Sequence, residues 1–371
     1  MSMISHSTRA FGSPSRYIQG RYELDNLKKY ADKYGKKLLV LVDTFFYKEW
    51  KPRFEKMYEG EGSEVKVMEF SGEIYAEKID AFADECRDFD PEVVAGMGGG
   101  KTMDTAKALA DIFNAATIVI PTTASTDAPC IGLSVLYTKE GEHVGARHYV
   151  KNPDLVLVDT DIIVKAPIRF FVAGMGDALS TYIETRANLT SDSPNYVWDG
   201  FVSTKAAEAI SKACHETVLS KGISAYYAAK NGLCTKDFED VVEANTLLSG
   251  LGVQNTSCAG AHSIAEGIEI LPACRKLLHG EVVAFGNLVQ LIMEGRSDEE
   301  IKQLYDFYKV TGLPSTFEDL GIKDVTDEEV MLVATESMKS YWDVEPFPVN
   351  PQKVYDAIKM ADVLGRKYAA E

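Results

Sequence analysis

Two histidines and one aspartate stand in company that suits a metal ion. His262 lies in Ser257-Cys258-Ala259-Gly260-Ala261-His262-Ser263-Ile264 and His279 in Leu277-Leu278-His279-Gly280-Glu281. Asp177 lies in Ala173-Gly174-Met175-Gly176-Asp177-Ala178-Leu179. Small residues around a polar side chain leave room for a ligand. Two imidazoles and a carboxylate can form an open zinc site, with three protein ligands and a free position for substrate. The three are far apart in the chain, unlike the two histidines of His-Glu-x-x-His, so their spacing also fits histidines satisfied in the core or at the surface. Of the other four, His6 lies in the polar N-terminus, His143 and His148 in a hairpin-like stretch, and His215 in a helical one.

A second group offers backbone chemistry. Gly96-Met97-Gly98-Gly99-Gly100-Lys101-Thr102 follows the apolar run Val93-Val94-Ala95 and opens a helical segment. Three consecutive glycines put no Cβ in the way of a close ligand. The helix start behind them presents unpaired N–H groups and a positive dipole end, which suits a pyrophosphate. The spacing is neither Gly-x-Gly-x-x-Gly nor that of a Walker loop. The alternative is a tight strand-to-helix turn.

The third is Pro121-Thr122-Thr123-Ala124-Ser125-Thr126-Asp127-Ala128-Pro129. Its hydroxyls can donate to a cofactor and Asp127 can accept from a substrate hydroxyl. Equally, Asp127 can cap a helix or turn in an ordinary polar loop.

These residues need elements to hold them. Lys37-Leu38-Leu39-Val40-Leu41-Val42-Asp43 is a nearly continuous apolar run ending in an acid, as in a strand buried on both faces of a parallel sheet. Strand patterns follow at 65–70, 93–97, 116–120 and 155–159, with helical patterns at 22–34, 49–57 and 74–89. Pro52 weakens the second of these helices, since proline is comfortable only in a first turn. This rhythm predicts a doubly wound, mostly parallel, Rossmann-like α/β sheet, with Asp43, the glycines and the Thr122 loop at the carboxyl ends of strands. Residues 133–138 and 144–150 read as a hairpin around a turn at 139–142. From Ala166 helical patterns take over, at 176–189, 197–219, 237–251, 260–271, 281–293, 298–311, 327–337 and 351–368. The expected organisation is an α/β domain over 1–165 and an all-α domain over 166–371.

Composition narrows the class. The chain has 371 residues, 46% hydrophobic and 26% charged, with 56 acids against 39 bases and a net charge of −17. Such a surface repels phosphate backbones, so no nucleic acid is expected as a partner. Six cysteines occur with no Cys-x-x-Cys pair, which reads as free thiols in a reducing compartment. Residues 1–14 lack an apolar signal core and no apolar stretch is long enough to span a bilayer. The expectation is a cytoplasmic protein with no membrane partner.

Taken together, Gly98 to Lys107, Pro121 to Pro129, Gly174 to Leu179, Ala261-His262-Ser263-Ile264 and His279-Gly280-Glu281-Val282-Val283-Ala284-Phe285-Gly286 resemble the glycerol dehydrogenases of the iron/zinc-dependent (type III) alcohol dehydrogenase family, whose architecture is shared by dehydroquinate synthase. The resemblance runs from about Ser15 to about Arg366 with the motifs in order. It implies an N-terminal NAD-binding α/β domain, a helical metal- and substrate-binding domain, and a site in the cleft between them. It implies reversible oxidation of glycerol to dihydroxyacetone, hydride passing from a metal-held alkoxide to nicotinamide C4.

Carried over, Asp177, His262 and His279 match the ligands of one Zn²⁺ per chain, with Fe²⁺ or another divalent metal as the alternative, and His279 also borders the substrate. Gly98, Gly99, Gly100, Lys101 and Thr102 match the pyrophosphate loop, and Asp43 matches the acid on the adenosine ribose, which favours NAD over NADP. Thr122, Thr123, Ser125, Leu133 and Tyr137 match the nicotinamide side, and Asp127 the carboxylate that holds glycerol. The family forms homo-oligomers, commonly octamers.

Two positions depart from relatives. The iron enzymes carry Asp-x-x-x-His, where this chain has Thr181, which favours zinc. Glycerol dehydrogenases usually carry His-x-x-His, where this chain ends on Ala265. The same chemistry on another small diol, hydroxyketone or hydroxy acid is the first alternative, and a metabolite-binding relative without chemistry the second.

Overall fold

The computed structural model describes residues 7–60, 62–198 and 200–370; His6 lies outside them. Its contacts divide the chain into two units. One comprises residues 12–124 and 128–166. The other comprises 167–370 together with the segment ending at Phe11 and the three residues Ser125–Asp127.

In the first unit the described residues form a six-stranded, wholly parallel sheet. Its strands are β1 (Tyr17–Gly20), β2 (Lys37–Asp43), β3 (Glu64–Phe70), β4 (Val93–Gly98), β5 (Ala116–Pro121) and, after a hairpin of β6 (Leu133–Tyr137) and β7 (His143–His148), β8 (Leu155–Asp159). Their order is β1-β8-β5-β4-β2-β3. The two-residue period of a strand shows in β2. Leu38, Val40 and Val42 enter a core with Leu27 and Ala31 of α1 (Leu27–Ala31) and Trp50 and Phe54 of α2 (Thr44–Met57). Leu39 and Leu41 enter the opposite core, with Ile79 and Ala83 of α3 (Ala76–Cys86) and Ala106 and Leu109 of α4 (Gly100–Phe113). Helices therefore cover both faces, and the continuous apolar run is explained. A short α5 (Thr160–Ile163) follows β8, with Asp159 as its cap. β3 lies beyond β2, and the chain then returns to place β4 on β2's other side. The loops leaving β2 and β4 diverge at this switch point.

Two local readings differ here. β1 is too short to leave a pattern in the sequence, and its pairing with β8 defines it. Pro52 sits inside α2 rather than in its first turn. Asp43 caps the helix by accepting from the Phe45 N–H at 2.9 Å, so the helix starts eight residues before the proline.

The second unit is helical: α6 (Ile168–Ser191), α7 (Lys205–Lys230), α8 (Lys236–Glu243), α9 (Ser249–Thr256), α10 (Gly260–Glu269), α11 (His279–Met293), α12 (Asp298–Thr311), α13 (Asp327–Ser337) and α14 (Pro351–Ala370). Thr204, Thr235, Ser297 and Thr326 each accept from a backbone N–H of the following first turn. The helical pattern from 197 begins only at Lys205, because Trp198 and Gly200 hold positive φ before the Thr204 cap. The pattern over 237–251 is interrupted by one wide turn, Ala244–Leu248, where the Cys214 thiol reaches the Ala244 carbonyl.

Every residue of α11 from Gly280 to Leu291 is buried, which makes it the axis of the unit. Its neighbours come close because glycine faces backbone. A Cβ on Gly280 would lie 1.9 Å from the Ala173 oxygen of α6, and one on Gly286 would lie 2.2 Å from the Ala261 oxygen of α10. Among the described residues no helix is long and apolar enough to cross a membrane.

Candidate metal centre and glycine cradle

The close approach of α6, α10 and α11 brings Asp177, His262 and His279 together. His279 Nε2 lies 3.6 Å from Asp177 Oδ1 and 3.4 Å from His262 Nε2, and His262 Nε2 lies 3.8 Å from Asp177 Oδ1. A tetrahedral ion with ligand bonds of about 2.0–2.2 Å requires ligand atoms roughly 3.3–3.6 Å apart. Both Asp177 oxygens are buried and neither has a hydrogen bond of full geometry, although the Asp127 N–H acts on the carboxylate. A carboxylate is not left so in a core unless something else completes it. The residues therefore fit a divalent ion.

The electrostatics follow from burial. Dehydration pushes the Asp177 carboxyl up to about 6; His262 opposes the shift, Glu184 adds to it, and the Asp127 N–H lowers it again. Dehydration disfavours the His262 imidazolium, but Cys258 and Glu184 outweigh it and hold that ring well above the usual range. His279, although its side chain is 44% exposed, is held below its usual value, by dehydration first and then by His262. Asp127 acts on this group through both its backbone and its charge, which His279 feels. It belongs by its contacts to the helical unit, although it follows β5 in sequence.

Thr181, one turn after Asp177, bonds Ser249 Oγ at 2.9 Å and is turned toward α9. Ala265, one turn after His262, is buried.

In the first unit, the glycines follow β4 and lead into α4. A Cβ on Gly98 would meet the Thr102 hydroxyl at 2.5 Å and Asp43 Cβ at 3.0 Å, so this position tolerates no side chain. Cβ atoms on Gly99 and Gly100 would meet nothing within 4 Å. The turn alone thus requires Gly98, whereas the openness at Gly99 and Gly100 is what a ligand approaching the α4 start would use. Lys101 pairs with Glu73 at 2.6 Å and lies over the Tyr137 ring at 5.1 Å. Thr102 and Thr122 are buried, and the Thr122 N–H donates to the Gly98 oxygen at 3.1 Å. Thr123 is half-buried, as are Leu133 and Tyr137 on β6; Ser125, which belongs to the helical unit, is half-buried there.

Two groups were not singled out from sequence. Lys107 is buried and donates to Asp104 Oδ1 at 3.0 Å, the Ala128 oxygen at 2.7 Å and the Leu133 oxygen at 3.0 Å. Asp104 accepts in turn from the Val135 N–H at 2.9 Å. This pair fixes residues 128–135 against α4; its trace in sequence is only an Asp and a Lys three apart in an apolar helix. Glu184 is fully buried two turns after Asp177, and Oε2 lies 2.8 Å from His262 Nδ1. Its neighbours Ser180, Thr181, Thr185 and Arg186 are polar, so the sequence carries no signal for it.

The model of iron-containing alcohol dehydrogenases matches residues 14–160. Glycerol dehydrogenase of Citrobacter freundii is 40% identical over 363 residues, covering 96% of this chain and 98% of that protein. Glycerol dehydrogenase 1 of Schizosaccharomyces pombe is 38% identical over 364 residues, covering 97% of this chain and 80% of that protein. A crystal structure of glycerol dehydrogenase from Schizosaccharomyces pombe superposes with a TM-score of 0.93 at 38% identity, covering 98% of this chain and 93% of that one. A doubly wound sheet followed by a helical unit is the architecture of an oxidoreductase of this kind. The chain belongs to the iron-containing alcohol dehydrogenase family.

Proposed function

We propose that this chain catalyses the NAD-dependent, zinc-dependent and reversible oxidation of glycerol to dihydroxyacetone. The observation that carries the reading is the convergence of Asp177, His262 and His279 at 3.4–3.8 Å, with the Asp177 carboxylate buried among them. The names borne by relatives at 38–40% identity support the substrate. When bound, the ion supplies the Lewis acidity that ionises an alcohol near neutral pH, and NAD supplies the hydride acceptor.

The chain's own residues do the rest. Asp177, His262 and His279 hold the ion, and the bond of Thr181 to Ser249 leaves three protein ligands, which favours zinc. Asp127 accepts from a second hydroxyl of the polyol, and His279 borders the same molecule. Gly98 to Thr102 hold the pyrophosphate on the start of α4, and Asp43 takes the adenosine ribose. Thr122, Thr123, Ser125, Leu133 and Tyr137 line the nicotinamide side. In this assignment residues 1–165 form the NAD-binding domain, apart from the segment ending at Phe11 and Ser125–Asp127, which by their contacts go with the metal- and substrate-binding domain of 166–371. The protein works as a cytoplasmic homo-oligomer.

The test is an NADH-coupled screen of polyols, hydroxyketones and hydroxy acids on protein of defined zinc content. Glycerol with NAD is expected to give the highest turnover, lost on chelation and restored by zinc. Full turnover in the chelated protein removes the metal from the reaction, and preference for a hydroxy acid reassigns the substrate.

A further inference from the structure

The two ring nitrogens of His262 meet different surroundings. Nε2 faces Asp177 and His279. Nδ1 faces Glu184 Oε2 at 2.8 Å. The other oxygen of Glu184 accepts from the His262 N–H at 3.0 Å and from the Ala259 N–H at 2.8 Å, at the start of α10. Glu184 therefore holds the backbone and the ring of one residue with one carboxylate. Its side chain is wholly buried on α6, the helix that also carries Asp177. The Cys258 sulfur lies within the same cluster, but a thiol is a weak partner beside a carboxylate.

We propose that Glu184 is the positioning residue that fixes the tautomer of His262. A carboxylate at Nδ1 keeps the neutral ring's proton on that nitrogen. The Nε2 lone pair is then left pointing at Asp177 and His279, as a ligand must. Because Asp177 and Glu184 share a helix, one rigid element sets both a candidate ligand and the partner that orients the next. The inference rests on the metal reading above and assigns a role to a residue outside the ligand set.

E184Q isolates the tautomer from the fold. The glutamine oxygen can keep both backbone bonds, while its NH₂ faces Nδ1 and makes that nitrogen an acceptor. The ring proton is then driven to Nε2, where it blocks a ligand position. Zinc affinity, measured by competition with a chromophoric chelator, should fall about 10- to 100-fold, with NAD affinity and thermal midpoint held near wild type. C258S should bind zinc as the wild type does. Wild-type zinc affinity in E184Q, or an equal loss in C258S, overturns the proposal. D177N and the wild type, run in parallel, separate it from the reading beneath: a wild type that takes up no zinc overturns the metal centre itself. If E184Q does not fold, E184D replaces it. It withdraws the carboxylate by one methylene and should weaken zinc several-fold, and unchanged affinity again overturns the proposal.

Discussion

The two candidate binding regions are built on opposite plans. The glycine loop is contiguous in sequence, offers backbone N–H groups and keeps open space above Gly99 and Gly100. The cluster of Asp177, His262 and His279 spans a hundred residues of chain. It offers side chains, and it exists because glycine lets three helices touch backbone to backbone. In the loop, glycine leaves room for a ligand; in the helical unit, glycine leaves room for protein. The same residue type should therefore fail differently in the two places.

The sharpest break is His279→Ala. Removing a ligand should lower glycerol oxidation by more than the ~100-fold that losing an outer partner costs, while NAD affinity by fluorescence titration stays at the wild-type value. Retained turnover without added metal would dissolve the contrast. Next come two matched substitutions. Gly280→Ala puts a methyl group against the Ala173 oxygen and should destabilise the fold by about 3 kcal/mol, toward the upper end for overpacking, in chemical denaturation. Gly99→Ala meets no protein atom at a φ of −79°. It should leave the denaturation midpoint in place and weaken NAD binding instead. Equal stability loss in both variants would mean that the loop glycines are structural too.

Burial sharpens the comparison from another side. Glu345 accepts from the Gly260 N–H at the start of α10, and burial, with Glu294 beside it, pushes its carboxyl up to about 8. The native state holds that proton while the unfolded chain has released it, so the wild type loses stability as pH rises from the ordinary carboxyl range to about 8. E345Q mimics the protonated form. Its unfolding free energy in chemical denaturation should match the wild type below pH 4.5 and exceed it increasingly up to pH 8, by about 2–3 kcal/mol. A pH-independent difference would contradict the assignment. The smallest effect is expected from Asp127→Asn, which should raise the KM for vicinal diols about 10-fold and that for monoalcohols less. Equal changes would remove Asp127 from the substrate.

What could be read from the letters follows the same division. The sheet was legible because β2 and β5 are apolar on both faces, and the glycine loop because its residues are adjacent. The candidate ligands stood out through their small neighbours, although only tertiary packing brings Asp177 within 4 Å of both histidines. Glu184 and the Lys107–Asp104 pair were not legible, since their partners lie 78, 21 and 26 residues away. The membership of Ser125–Asp127 in the helical unit was hidden for a similar reason. Three residues after a strand carry no sign that their contacts are made with a later part of the chain. Pro52 misled through a general rule, because the Asp43 cap that starts α2 early lies nine residues upstream.

The division of the chain also sets an order of events on the ribosome. Domains tend to fold as units from the N-terminus during synthesis. The sheet unit has all its strands once Asp159 emerges, and closes at Ala166. The residues around Arg9 emerge before the sheet but find their partners only after it is complete: Arg9 pairs with Val202, and the Ala10 carbonyl accepts from Asn195. Ser125 to Asp127, a few residues past the end of β5, must likewise wait until the helices that claim them have been made.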